Sequence, residues 1–451
     1  MYFASHNRNF YEKASLEEIF EHIDDLALWG MNTLQMWFDM FYFENMEAGR
    51  EYAERLMTIL RYAKSIGVKT VICILANESF TYSPEHLRAD WTAGHDGYIH
   101  KLQGHYHVEI CPSVEGGMEK ILEYRREWLE VFKGADADFI SIGAYDQGGC
   151  SCSKCAPWGC NGFIRVCEEL IPLINEYLPK AKIIISLWQF DTFTGTTVEH
   201  EGMKKALFEG KFKDVPYLMS EPQYARFPYE QGMPKPLIGF PEISMCDTIP
   251  WGGYGTNPIP SLLQSLMDTD LDKQEGGLPY SEGFYEEINK IIMLRYYRDG
   301  QSARDSVVEY LTYEFGLKGE ILEKTCQAIY DMEETLHRGF EPGHRYPVDN
   351  PEKMPEIEKA ILEADATLPD EIRNGRKWQM IYLRAVIDGE LYRNDFKRNK
   401  KVLEYFKKII DLCHLETAEF IVKPDIIEDD KYGRVLTRKE LTIIARGGTI
   451  D

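Results

Sequence analysis

Residues 138–163, DFISIGAYDQGGCSCSKCAPWGCNGF, hold the feature around which the chain is organised: a short apolar run that gives way abruptly to polar residues and a group of cysteines. Phe139, Ile140, Ile142 and Ala144 read as a buried strand. At its carboxyl end come Tyr145, Asp146, Gln147, Gly148 and Gly149, then Cys150, Cys152, Cys155 and Cys160. In open and closed α/β sheets alike, the loops after the strands form the binding face, because side chains there are held by a rigid scaffold and still reach solvent. Asp146 is therefore the leading functional carboxylate.

Working outward, the same strand-then-helix unit recurs. Upstream, a short apolar start meets the polar run His6, Asn7, Arg8 and Asn9. Ser15 with Glu18 then forms a capping box that opens an amphipathic helix to about Trp29. Residues 32–38 read as a strand ending at Trp37 and Asp39, and residues 47–65 carry helical spacing. Residues 68–75 are a third strand, with Asn77 and Glu78 at its end, and a long loop leads to a helix over 118–132. Downstream of the opening stretch, helices are expected at 162–177, 198–208, 260–267 and 286–297. Strands are expected at 182–187, 215–220 and 237–240, with a weak one at 277–280.

Eight alternations within about 300 residues fit one closed parallel (β/α)8 TIM barrel, a fold of roughly 250 residues before insertions. A doubly wound sheet fares worse, since no glycine-rich phosphate loop follows the first strand and polar residues recur after every strand. Past Gly300 the strands stop, and helical periodicity runs through 303–315, 318–337, 355–366, 372–393 and 398–414. The expected organisation is a catalytic α/β barrel over 1–300, a helical domain over 301–415 and an extended arm over 416–451, with β-like runs at 420–422 and 441–445.

Lys plus Arg number 51 against 74 Asp plus Glu in 451 residues, a formal charge of −23. That surplus repels phosphate backbones and anionic lipid heads, so neither nucleic acid nor membrane is an expected partner. There is no run of about 20 apolar residues, and the N-terminus lacks a signal-peptide layout. As written the chain reads as cytoplasmic, or as secreted or periplasmic if a further segment precedes it.

Carboxylates stand just after most strands: Asp39, Glu78, Asp146, Asp191, Glu221, Glu242 and Glu282. Such a face suits glycosidic bond cleavage, which needs an acid at the leaving oxygen and a second carboxylate, or a group on the substrate, facing an oxocarbenium-like transition state. No cofactor is required. Aromatics crowd the same loops, with Trp37, Trp91, Trp158, Trp188, Tyr224, Trp251, Tyr254 and Tyr280 available to stack on sugar faces. The set expected to bind a carbohydrate is His6, Asn7, Trp37, Asp39, Asn77, Tyr145, Gln147, Trp188, Asp191, Tyr224, Trp251 and Tyr280. Arg226, near strand six, could face an acidic sugar. The plainer reading of these residues is that some carboxylates are solvated and some aromatics are core.

Cys150, Cys152, Cys155 and Cys160 have the spacing C-x-C-x2-C-x4-C. Four thiolates so close together could hold a structural Zn2+, or pair as disulfides, or stay free thiols. The remaining six cysteines are scattered and expected to be buried. The loop after strand three carries His86, His95, His100, His105 and His107 beside Glu109, which opens a reading as a metal-dependent enzyme. Polar donors in a lid are the simpler account of it.

The stretches SIGAYDQGG (141–149) and CSCSKCAPWG (150–159), with LWGMNTLQMWFDM (28–40) and LPYSEGFYEEINK (278–290), resemble bacterial glycoside hydrolase-like proteins related to the family 20 hexosaminidases. The resemblance covers the barrel and implies a sugar substrate at its carboxyl-end face; the substrate expected for this chain is an N-acetylhexosamine or a uronic acid. In that family an Asp-Glu pair ends strand four: the Asp orients the substrate's N-acetyl group, and the Glu is the acid. Asp146 matches the first, but Gln147 stands in the acid's place, and an amide cannot deliver that proton. Either another carboxylate supplies the acid, or the chain binds sugars without cleaving them. Retaining barrel glycosidases often place the acid after strand four and the nucleophile after strand seven, here Asp146 and Glu242; carboxyls about 5 Å apart go with retention and a wider gap with inversion. Glu221 and Glu282 are the substitutes.

Overall fold

The structure is a computed structural model that describes residues 1–3, 11, 14–89, 108–144, 149–191, 195–221, 225–244, 248–249, 256–270, 273–281, 287–335, 337–338, 350–395 and 399–412. By contact density the chain divides into two compact units. The first comprises Met1–Tyr2, Met31–Pro241 and Thr269–Leu278; the second comprises Phe3–Gly30, Glu242–Asp268 and Pro279–Asp451. The extended arm expected over 416–451 lies outside the described residues.

In chain order the strands are β1 (Tyr2–Phe3), β2 (Thr33–Trp37), β3 (Lys69–Leu75), β4 (Phe139–Gly143), β5 (Lys182–Ser186), β6 (Tyr217–Ser220) and β7 (Leu237–Gly239). After β8 (Glu242–Ser244) and β9 (Thr248–Ile249) come β10 (Gln274–Gly277) and β11 (Tyr280–Ser281). The ten-stranded sheet runs β10-β7-β6-β5-β4-β3-β2-β1-β11-β8, and its recorded pairings are parallel. From β1 to β7 every strand lies beside its sequence neighbour. A doubly wound sheet would reverse direction at a switch point, so this order is that of the TIM-type α/β barrel, followed in sequence by helices.

Register explains the composition of the strands. Trp37, Cys73, Ser141 and Ile184 stand side by side on one face, with Gln35 beside Val71. Met36, Ile72, Ile140 and Ile183 line the other, continued by Ile74, Ile142, Ile185 and Leu218. All the apolar members are buried, as expected of parallel strands covered on both faces, and each fully buried Ile or Leu contributes about 1.5–3 kcal/mol. The first face is more polar: the Gln35 carboxamide and the Ser141 hydroxyl are buried with no hydrogen-bond partner among the described residues.

The amphipathic spacing produces the helices it predicts. Arg50–Ser65 buries Ala53, Leu56, Met57, Leu60 and Ala63, and Gly67 ends it at φ 91°. Helices Gly162–Tyr177 and Val198–Phe208 fall at the predicted positions. The predicted strand over 277–280 is instead two pieces, β10 and β11, on either side of Leu278 and Pro279. Strand seven is likewise continued as β8 beyond Phe240 and Pro241. Proline donates no ladder hydrogen bond, which is why both strands break there; the two compact units part at the same two breaks.

In the second unit, helix Leu16–Leu28 starts on the predicted capping box of Ser15 and Glu18. Helices Ala303–Phe315, Gly319–Glu334, Met354–Asp365 and Arg376–Arg393 pack in sequence order on one another. The predicted 372–393 helix is split by Asn374 and Gly375 into Asp370–Arg373 and Arg376–Arg393. Its interior holds the buried pair Arg384–Asp388, one helical turn apart at 2.5 Å. No helix of the described residues is long and apolar enough to cross a membrane.

Candidate active site

Parallel register brings the residues that follow β2 to β7 to one edge of the sheet. After β2 and β3 this edge is a dense polar layer. Asp39 is fully buried, as are Asn77, Glu78, Glu109 and Arg125 to within 3%. Glu78 accepts from the Met40 backbone N–H at 2.9 Å, which ties the loop after β2 to the end of β3. Arg125, from helix Gly117–Phe132, donates to the carbonyls of Leu75 and Glu78. Burial pushes the Glu78 carboxyl from 4.5 up to about 7, even though the Arg125 charge and the Met40, Phe41 and Trp37 donors pull it down. Burial likewise holds the Arg125 guanidinium below its usual value, at about 10.

Sequence reasoning noted Glu78 only as one of several acidic residues. Trp37, expected to stack on sugar, is buried at 2% and belongs to this layer rather than to an open platform. Trp158, also counted among the stacking aromatics, is 1% exposed. A Cβ on Gly149 would lie 1.9 Å from its ring and 2.4 Å from Asn77 Oδ1, so this approach requires glycine.

The loop after β5 is held by a reciprocal clasp. Asp191 accepts from the backbone N–H groups of Glu199 (3.1 Å) and His200 (3.0 Å), from Thr196 Oγ1 (2.9 Å), and pairs with His200 Nδ1 at 2.8 Å. Glu199 in return accepts from the Asp191 and Gly159 N–H groups, each at 2.7 Å. Asp191 thus caps the amino end of helix Val198–Phe208 from outside it, where orphan N–H groups and the helix dipole favour an anion. Burial pushes its carboxyl up, but the His200, Glu199 and Thr196 hydrogen bonds outweigh that and hold it below the ordinary range. Two non-glycine residues of this loop, Gln189 (φ 63°) and Asp191 (φ 60°), adopt the left-handed conformation. The Asp191 carboxylate expected to touch sugar is engaged in this clasp.

Glu221, after β6, is 3% exposed and accepts from the Phe240 N–H at 3.2 Å, linking the ends of β6 and β7. Trp188, two residues beyond β5, is half-buried. Its ring meets Phe240 edge-on at 4.9 Å between centroids, and Tyr2 lies 5.7 Å from the same phenyl ring. Arg226 pairs with Glu230 at 3.3 Å. In the second unit, Glu242 opens β8 and is partly exposed, and Tyr280, paired with it in register, is 7% exposed. His6, Asn7, Tyr145, Asp146, Gln147, Tyr224, Trp251 and Glu282 lie outside the described residues, as do His95, His100, His105 and His107.

The cysteines regroup. Cys111, Cys150, Cys152 and Cys155 place their sulfurs within 4.8 Å of one another. Cys160, expected as the fourth member, is not among them: its thiol faces the Pro157 carbonyl at 3.7 Å, and its Cβ packs on Gly202 of helix Val198–Phe208. Cys111 sat unmarked among the scattered six. Its one signal is a polar loop that returns to the sheet edge, bridging Glu109 to Glu78 and Ile110 to Arg88.

No family model matches the chain, and no curated protein matches it. Among solved structures the chain is similar to that of CpGH84D, a glycoside hydrolase, with a TM-score of 0.43 and 10% identity over 96% of this chain and 65% of that one. The chain thus spans less than two thirds of that protein's length.

Proposed function

We propose that the chain is a glycoside hydrolase working at the carboxyl-end edge of its parallel strands, on an N-acetylhexosamine or uronic acid substrate. The supporting observation is the half-buried Trp188, set against Phe240 on an edge that also carries Asp39, Glu78, Asp191 and Glu221. An indole fixed at an angle against a second aromatic, and still partly exposed, offers apolar surface for a sugar ring. The described strand-end carboxylates of the first unit, Asp39, Glu78, Asp191 and Glu221, are buried, and the last three accept structural hydrogen bonds. On sequence position, Asp146 after β4 and Glu242 after β7 remain the carboxylates proposed to react, and Glu242 is partly exposed. One protonates the leaving oxygen while the other faces the anomeric carbon as nucleophile or base; Glu282 is the substitute.

A panel of aryl glycosides, including N-acetylhexosaminides and glucuronides, tests this with Asp146→Asn, Glu242→Gln and Glu282→Gln beside the parent. The expected result is one glycoside cleaved by the parent, with kcat falling at least about a hundredfold in the Asp146 and Glu242 variants while KM changes little. Sugars that raise the melting temperature without any turnover would replace the hydrolase with a carbohydrate-binding protein whose lost acid is Gln147.

A further inference from the structure

We propose that Cys111, Cys150, Cys152 and Cys155 bind one structural Zn2+ as a tetrathiolate centre, and that this centre clamps the loop after β3 to the loop after β4. The geometry carries it. With Zn–S bonds near 2.3 Å, the edge of a ZnS4 tetrahedron is about 3.8 Å. Cys111 Sγ lies 3.7 Å from Cys152 Sγ and 3.8 Å from Cys155 Sγ, and all four sulfurs fall within 4.8 Å of one another. A disulfide instead draws two sulfurs to about 2.05 Å, leaving pairs rather than one mutual cluster. Four soft thiolates in a tetrahedron exclude calcium and magnesium and suit zinc or iron; four protein ligands leave no open position for water, so the centre is structural.

The surroundings fit a negatively charged cluster. The Ser113 N–H points to Cys111 Sγ at 3.4 Å, and Ser113 Oγ lies 3.0 Å from Cys155 Sγ. The Arg165 guanidinium donates to Ser113 Oγ at 2.7 Å and to Cys155 Sγ at 3.4 Å. Outer donors of this kind orient the ligands, and the Arg165 charge offsets part of the excess negative charge of four thiolates on a divalent ion. On binding, each thiol gives its proton to solvent, so affinity falls in acid.

The centre has a mechanical consequence. Asn77 Nδ2 donates to the Ile110 carbonyl at 2.9 Å and to the Gly149 carbonyl at 2.7 Å. These are the residues immediately before Cys111 and Cys150. The metal and the Asn77 amide therefore fasten the same two segments, one carrying Glu109 and the other continuing from the stretch that contains Asp146.

Elemental analysis of the purified full chain tests the proposal, read with visible spectra after cobalt replacement. About one zinc per chain is expected in the parent and in Cys160→Ser, and far less in Cys111→Ser and Cys155→Ser. Cobalt-loaded parent should show the strong visible bands of tetrahedral cobalt thiolate, a readout that does not depend on the variants folding. Zinc retained by Cys111→Ser but lost from Cys160→Ser would overturn the ligand set. Stoichiometric iron would overturn the metal. A metal-free parent whose four thiols are free, or oxidised with the mass loss of disulfides, would overturn the centre.

Discussion

Glu78 shows how a single residue at a strand end can be read too quickly. Its position after β3 fits an active-site carboxylate, yet it is 1% exposed and holds the Met40 N–H. Since its folded value of about 7 lies above the ordinary 4.5, native protein binds a proton between those values that the unfolded chain does not. Stability should therefore fall as pH rises through that window. Urea unfolding of the parent and Glu78→Gln across it should show the parent losing ground relative to the variant as pH rises; a difference that stays constant would contradict the assignment.

Cys111 and Cys160 make the converse point. Spacing favoured Cys160 because it is near in sequence, whereas Cys111 stands 41 residues before Cys152 and is brought in by the returning loop. A ligand set closed by tertiary contact leaves no local pattern to read.

At the scale of elements, the sequence was legible wherever burial imposes a period. Helices such as Gly162–Tyr177 and Ala303–Phe315 fall where their apolar spacing puts them. The loops were legible only in composition. Nothing local in Asp191 announces that it caps a helix beginning at Val198, since the clasp is made by chain folding back. Its depressed carboxyl contributes stability that is present above the ordinary carboxylate value and lost as pH falls through the folded one. Asp191→Asn should therefore be less stable than the parent near neutrality, by about 0.3–1 kcal/mol for the anion lost at a helix amino end. The gap should close only as pH falls from the ordinary carboxylate value through the lower folded one, because Asp191 is then protonated and uncharged like the variant's amide. Denaturant titrations at a series of pH values measure it, and a gap that persists unchanged in acid would show that Asp191 acts by shape alone.

For the whole molecule, the barrel order followed from counting alternations, because a parallel strand covered on both faces needs an apolar run and a crossover helix. The breaks in the last two strands, at Pro241 and Pro279, were visible as prolines, but their effect on the division into two compact units was not. The edge at which the strand-end residues gather was legible from parallel topology, whereas the burial of individual carboxylates was not. Glu78, Asp191 and Glu221 are buried, whereas Glu242, at the start of β8, is partly exposed. Catalysis by a Glu242 carboxylate is the central claim. Its most direct test is turnover of an activated aryl glycoside by Glu242→Ala with and without azide, a small anion able to occupy the space of the deleted carboxylate. Activity lost in the variant and restored by azide, with a glycosyl azide as product, is the expected result; a variant that cleaves the substrate as fast as the parent without azide would contradict it.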